Sequence, residues 1–107
     1  MILASDVIDR AKDLWRDSAD NFSGYSLKWI SDGIRELLRL RSDAGITEAG
    51  QLFKVTEITA TTTEIDLDDS FLPCLVDYVL HRGYQENKSD DRAKAAFADF
   101  MRKAKGV

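Results

Sequence analysis

One stretch of the chain interrupts a pattern that is otherwise helical. Residues 55–66 read VTEITATTTEID and are rich in β-branched side chains, which favour strands or extended chain. On both sides of it, apolar residues recur at three- and four-residue steps, the spacing of an amphipathic helix. A lone strand leaves a row of backbone N–H and C=O groups unsatisfied. The stretch must therefore fold back on itself, pair with another subunit or stay mobile, and the sequence leaves these alternatives open.

Two helices are predicted before this stretch, over residues 5–18 and 26–42. Ser5 is expected to cap the first helix, and Asp6 is favourable against its dipole. Gly33 lies inside the second helix, where glycine costs about 1 kcal/mol relative to alanine, and we interpret it as the mark of a close helix crossing. The apolar stripes are formed by Val7, Ile8, Ala11, Leu14 and Trp15 in the first helix and by Leu27, Ile30, Ile34, Leu37 and Leu38 in the second.

Two further helices are predicted after it, over residues 69–85 and 89–105. Pro73 is tolerated only in the first turn of a helix, which fixes where the third helix begins, and Ser89 is expected to cap the fourth. Residues 43–67 are predicted to form an insertion, with a β-hairpin or extended arm from about Phe53 to Asp66. The expected fold class is mainly α: a small four-helix bundle, one domain over residues 1–107, with a β-prone ribbon between helices two and three.

Composition limits the classes of function. A net charge of −4 argues against a protein that coats nucleic acid, since such binding needs many phosphate-neutralising cations. Cys74 is the one cysteine, so an intrachain disulfide is excluded and a reducing compartment is expected. No apolar run approaches the roughly 20 residues of a membrane span, and the N-terminus lacks the basic segment of a signal peptide. We expect a soluble protein without a membrane partner.

Residues for catalysis or metal binding are sparse. His81 is the one histidine, and Cys74 precedes it by about two helical turns. These two ligands are too few for a zinc site, and no phosphate-binding loop, G-x-S-x-G or H-E-x-x-H motif occurs. We therefore predict that the protein is no enzyme and holds no cofactor or metal. His81 is expected to be structural, and Cys74 to be buried.

A DNA-reading helix-turn-helix is the other pattern that the first two helices suggest. Arg35, Arg39 and Arg41 could contact phosphates, but the connection between the helices is longer than the usual three or four residues. Aromatic residues near this connection could form a stacking platform for bases. They are more simply interpreted as core and as the contact where two helices meet; the residues are Trp15, Phe22, Tyr25 and Trp29.

Two helical segments resemble those of a known family. Residues 22–37 read FSGYSLKWISDGIREL and residues 75–84 read LVDYVLHRGY. They resemble the "I-N-D-G-x-R-E" and "L-V-D-Y-V-L-Y-R-A-Y" segments of small phage head–tail connector proteins, also called adaptors or head-completion proteins. An alanine-rich last helix follows in both, and the resemblance covers about Val7 to Ala104. Longer relatives carry a large β-rich insertion where this chain has only residues 43–67.

The resemblance implies a structural role in a virion. Such proteins form a ring, expected to be dodecameric, that joins the portal protein to the tail, nozzle or stopper protein, with DNA passing through the lumen as cargo. The expected location is the head–tail junction, after assembly in the host cytoplasm. The predicted arm between subunits or toward the tail consists of Phe53, Val55, Ile58, Thr61, Thr63 and Ile65. The predicted portal-docking tail consists of Arg102, Lys103, Lys105 and Val107.

A second function stays open beside the adaptor. The chain is also compatible with a helical interaction module outside the virion, such as a regulator or an assembly chaperone. For the adaptor, the β-prone ribbon would gain strand pairing on assembly, because strand addition is a common way to join subunits. For either function, the ribbon could instead be a self-contained hairpin.

Overall fold

The computed structural model describes residues 2–15, 22–40, 58, 60, 62–65, 67, 69–86 and 88–106. In this part of the chain, a short strand β1 (Ile2–Leu3) leads into helix α1 (Ala4–Leu14), and helix α2 spans Phe22–Leu40. Strand β2 (Glu64–Ile65) and a 3-10 turn (Asp69–Phe71) precede helices α3 (Leu72–Glu86) and α4 (Asp90–Gly106). The prediction of a mainly α fold with four helices is confirmed.

The end of the β-branched stretch pairs with the N-terminus of its own chain. Strands β1 and β2 are antiparallel, with Ile2 opposite Ile65 and Leu3 opposite Glu64. The backbone N–H of Ala4 continues the ladder by donating to the carbonyl of Thr63 at 3.0 Å. The sequence did not indicate this partner, since residues 2 and 3 carry too little pattern to predict a strand.

Helix α1 begins directly after β1, so its predicted cap is corrected. Leu3 occupies the N-cap position, and Ser5 lies inside the first turn. The Asp6 carboxylate accepts the backbone N–H of Leu3 at 3.0 Å, which is the carboxylate half of a capping box. Helix α1 ends at Leu14, with Trp15 in an extended conformation, and residues 16–18 of the predicted helix lie outside the described residues.

Helix α3 is the central element of the fold. It packs against α1, α2 and α4, and every residue from Cys74 to Leu80 is buried. Over these two turns the helix is therefore covered by its neighbours and is not amphipathic in burial. Pro73 is its second residue, as expected, because the missing N–H costs nothing in the first turn.

The α3–α4 turn is a Schellman motif. Lys88 adopts a positive φ of 58°, and its N–H donates to the carbonyl of Gln85 while Ser89 N–H donates to that of Tyr84. The Ser89 carbonyl then accepts the N–H of Ala93, the first bond of α4. Ser89 therefore occupies the predicted N-cap position, and α4 runs antiparallel to α3 as a tight helical hairpin.

Candidate functional site

Ser31 attaches the ribbon to helix α2. Its hydroxyl oxygen accepts the backbone N–H of Ile58 at 2.9 Å, and the hydroxyl donates to the carbonyl of Leu27 one turn earlier at 3.3 Å. Only 1% of Ser31 is exposed, so water does not compete freely for this pair. Together with the β1–β2 ladder, this contact fixes the ribbon to the bundle at two separate points.

The predicted arm residues fall into three groups. Ile58 and Ile65 are buried in the core of their own chain, so in this fold their side chains are not exposed to a partner. Thr63 is half-buried and contributes its carbonyl to the ladder. Phe53, Val55 and Thr61 lie outside the described residues. Contact of the arm with another subunit stays a prediction.

The two segments that carry the family resemblance meet in space. A Cβ placed on Gly33 would lie 2.9 Å from Cδ1 of the Tyr78 ring, so the glycine allows α2 and α3 to approach closely, as predicted. Beside it, the Arg82 guanidinium lies 2.9 Å from the Asp32 carboxylate and 3.4 Å from the Tyr78 hydroxyl. Asp32 also binds Arg35 at 3.2 Å. This half-buried polar cluster fixes how the two helices are aligned.

A buried carboxylate joins α3 to α4. The Lys103 ammonium lies 2.8 Å from Asp77 Oδ2, and the lysine side chain is 39% exposed. Burial raises the pKa of the Asp77 carboxyl above its usual value, although the Lys103 ammonium opposes the shift. A charge in this position costs desolvation energy, and its ion pair with Lys103 links the two helices of the hairpin.

His81 lies at the same interface and contacts α4. Its Nδ1 lies 2.9 Å from the Ala93 carbonyl, and since a carbonyl can only accept, Nδ1 carries the hydrogen. The imidazole packs on Phe97 with ring centroids 4.7 Å apart. Burial lowers the pKa of His81, while the bond to Ala93 opposes the shift. Cys74 is buried, which confirms the expectation for that residue, and the structural role of His81 stays a prediction.

The basic end of α4 forms an exposed positive surface. The predicted docking tail is helical as far as Gly106, and Val107 lies outside the described residues. Arg102 and Lys105 are exposed, whereas Lys103 is held by Asp77. Arg102 lies 3.1 Å from Asp99, but their side chains are 73% and 51% exposed, so this pair contributes little. Arg102 and Lys105 are the docking candidates that remain accessible.

The residues proposed for nucleic-acid contact have other partners. Arg39 binds Glu36 through two bonds of 2.8 Å, and Arg35 binds Asp32; both arginine side chains remain exposed. Trp29 is buried. Trp15 stacks on Tyr84 with centroids 4.5 Å apart and ring planes 8° from parallel, and thus joins the end of α1 to α3. Arg41 lies outside the described residues.

Neither a metal site nor a membrane segment is found in the described part of the chain. No group of three or more His, Cys, Asp or Glu side chains is arranged to hold an ion there. None of its helices is both long and apolar enough to cross a bilayer.

Comparison with protein-family models, with curated proteins and with solved structures finds no match for this chain.

Sequence reasoning missed two residues that organise these contacts. Ser31 lies next to Ile30 on the buried side of α2. A serine at a buried position among apolar residues was the sequence signal that could have identified it. Asp77 interrupts the apolar run of α3 in the same way. Neither signal identifies the partner, because Ile58 and Lys103 are brought close only by the tertiary fold.

Proposed function

We propose that the chain is a structural virion protein: a head–tail adaptor that forms a ring between the portal protein and the tail or stopper protein and lines the DNA exit channel. It acts by packing and docking and uses no cofactor. DNA passes it as cargo, and the acidic net charge disfavours adhesion of the passing phosphates.

One observation carries this proposal. The two segments that resemble connector proteins are distant in the sequence, yet they pack against each other through Gly33 with Tyr78 and through Asp32 with Arg82. A resemblance confined to unrelated helices would not require such contacts. The joined segments form one structural unit, with the insertion beginning at one end of α2 and returning before α3. This supports the connector interpretation, in which the insertion between these helices serves assembly.

The structure narrows the arm that this function needs. Ile58 and the Thr63–Ile65 segment serve as attachments to the chain's own bundle. The proposal therefore places contacts with a neighbouring subunit or the tail on the residues before Ile58, chiefly Phe53 and Val55. The exposed Arg102 and Lys105 remain candidates for docking to an acidic partner surface.

The proposal is tested by asking where the protein resides after infection. We would purify particles of the source phage on a gradient and identify their proteins by mass spectrometry without a tag, since Ile2 at the N-terminus is buried and paired. We expect this protein in the particle with portal and tail proteins, at a fixed copy ratio to the portal. Recovery only as a small species outside the particle would overturn the adaptor and favour a regulator or assembly chaperone.

A matched pair of variants tests the arm. In the first, residues 50–56 are replaced by a Gly-Ser linker of equal length, which keeps Ile58 and the strand pair. In the second, the exposed Lys28 is replaced by alanine. We expect both variants to keep their helix content by circular dichroism, and only the first to be lost from particles. Normal incorporation of the linker variant would remove the arm from the proposal.

A further inference from the structure

A groove with a negative rim lies between the start of α1 and the start of α3. Its volume is about 600 Å³, and its lining includes the apolar side chains of Leu72 and Pro73. Asp6, Asp9 and Asp69 lie around it against the single guanidinium of Arg10. Asp6 is held in place by the backbone N–H of Leu3. The groove therefore combines apolar surface with an excess of negative charge, a combination that fits a basic partner with small side chains.

Helix α4 presents a surface of that kind. Lys94, Ala98, Arg102 and Lys105 follow one another at four- and three-residue steps, so they share one face of the helix. All four are exposed. The alanine allows close approach of a second surface, and Arg102 can exchange its solvated partner Asp99 for another carboxylate at little cost. We call these four residues the basic face.

The groove and the basic face belong to different parts of the fold. Helix α4 packs chiefly on α3, whereas α1 packs on both α2 and α3. Among the described residues, none from α4 lines the groove, so the two surfaces share no residue and one molecule can offer each to a different neighbour. Contacts between unlike surfaces of identical subunits are heterologous, and they close into rings when the rotation permits.

We propose that the groove binds the basic face of α4 from a second copy of this chain. This contact would join neighbouring subunits of the ring proposed above, and it rests on that proposed function only for ring closure. In it, Arg102 and Lys105 bind the neighbouring subunit in place of the portal protein. Carboxylates at the rim meet the basic side chains, and Ala98 lies over Leu72 and Pro73. Electrostatic complementarity of this kind fixes orientation and depends on salt.

Charge reversal with rescue tests the proposal. The groove variant carries Asp9→Lys and Asp69→Asn, where asparagine keeps the capacity to cap a turn. The face variant carries Arg102→Glu and Lys105→Glu. We would measure association by sedimentation equilibrium in about 0.01 M salt, where the Debye length is about 30 Å, and in about 1 M salt, where it is about 3 Å. The wild type should associate at low salt and dissociate at high salt.

Each variant alone should bind itself more weakly than the wild type, with a rise of about tenfold or more in the dissociation constant. A one-to-one mixture of the two variants should associate again, because each reversed surface then meets a complementary one. A misfolded variant could not give this rescue. The control Lys12→Glu/Lys28→Glu makes the same change in net charge as the face variant, at exposed positions outside both surfaces, and should associate as the wild type does.

Two results would overturn the inference. One is a wild type that stays monomeric at about 1 mM, a concentration that detects a binding free energy of only about 4 kcal/mol. The other is a failure of the charge reversal, either because both variants associate at wild-type strength or because their mixture shows no rescue. Incorporation into particles is measured separately. If the variants enter particles normally, this contact is refuted and the adaptor proposal stands. If the wild type self-associates but does not enter particles, the adaptor proposal is refuted and the contact stands.

Discussion

The α3–α4 hairpin and the ribbon are held by different kinds of interaction. Between α3 and α4, side chains interdigitate: Phe100 is fully buried and meets the Tyr78 ring edge-on, with centroids 5.2 Å apart. The described residues of the ribbon are held by a two-residue strand pair, by the Ser31 hydroxyl and by the buried side chains of Ile58 and Ile65. The hairpin should therefore unfold only with the whole domain, whereas the ribbon can detach locally while the helices stay packed.

The largest effect is expected in the hairpin. Phe100→Ala removes a buried aromatic ring and should lower the free energy of unfolding by about 3–5 kcal/mol, a large part of the stability of a small domain. Urea unfolding followed by circular dichroism measures this loss. Phe97→Ala, at a half-buried neighbour in α4, is the control and should cost less. Equal losses would contradict the difference in packing.

A substitution at the crossing of α2 and α3 should change the free energy of unfolding by an intermediate amount, and the sign of the change should depend on Tyr78. Gly33→Ala places a Cβ against the ring and should destabilise by about 1–3 kcal/mol through overpacking. In a Tyr78→Ala background the space is open, so the same substitution should stabilise by about 1 kcal/mol through helix propensity. A double-mutant cycle measured by urea unfolding checks the sign change. The same sign in both backgrounds would refute the steric explanation.

The ribbon attachment should respond more weakly and only locally. Ser31→Ala leaves the buried N–H of Ile58 without its acceptor and should cost about 1 kcal/mol. Hydrogen exchange should accelerate at the Ile58 amide and stay unchanged at amides in the middle of α4. Lys28→Ala, one turn earlier on the exposed side of α2, is the matched control. Equal acceleration throughout α4 would mean that the ribbon and the hairpin unfold together.

The smallest change in the free energy of unfolding is expected from the Asp77 carboxylate at the α3–α4 interface, and this change depends on pH. The pKa of Asp77 is raised in the folded state, so the folded protein holds this proton more tightly than the unfolded chain does. Its contribution is fully present below the unfolded pKa of 3.8 and decreases as pH rises to the folded value. Relative to Asp77→Asn, the wild type should therefore lose stability across that window and no further above it.

Urea unfolding of both proteins at stepped pH checks this difference, because all other titrating groups are shared. In the variant, Lys103 loses its partner but is accessible enough to be hydrated. A wild type that gained stability over Asp77→Asn with rising pH would show that the ion pair outweighs desolvation.

The sequence predicted the helical regions well because their signal is local. The stripe of α4 is buried at Ala93, Ala96, Phe100 and Ala104, and that of α1 at Val7, Ile8 and Ala11. The same periodicity placed Leu14 in the α1 stripe, yet 47% of it is exposed. Since α1 ends at this residue, no further turn of the helix carries the stripe onward.

Contacts between distant residues could not be predicted in the same way. The partner of β2 lies at the N-terminus, and a two-residue strand has no periodicity to detect. The sequence marks Ser31 and Asp77 as polar residues in apolar surroundings, but it does not say which group meets them. Helix α2 begins at Phe22, earlier than the predicted residue 26. The predicted start was wrong because the polar character of this segment suggested a connection.

The pairing of β1 with β2 has a consequence for the order of folding. Ile2 and Ile65 are separated by more than half of the chain, so their contact closes a long loop, and the entropy of closure is lost before the ladder is gained. The α3–α4 hairpin has only a short turn to close. We therefore expect the hairpin to form early and the strand pair late, so that docking of the N-terminal residues is the last step of folding. A stopped-flow refolding trace in which Ile2→Ala accelerates unfolding without slowing folding would show this order.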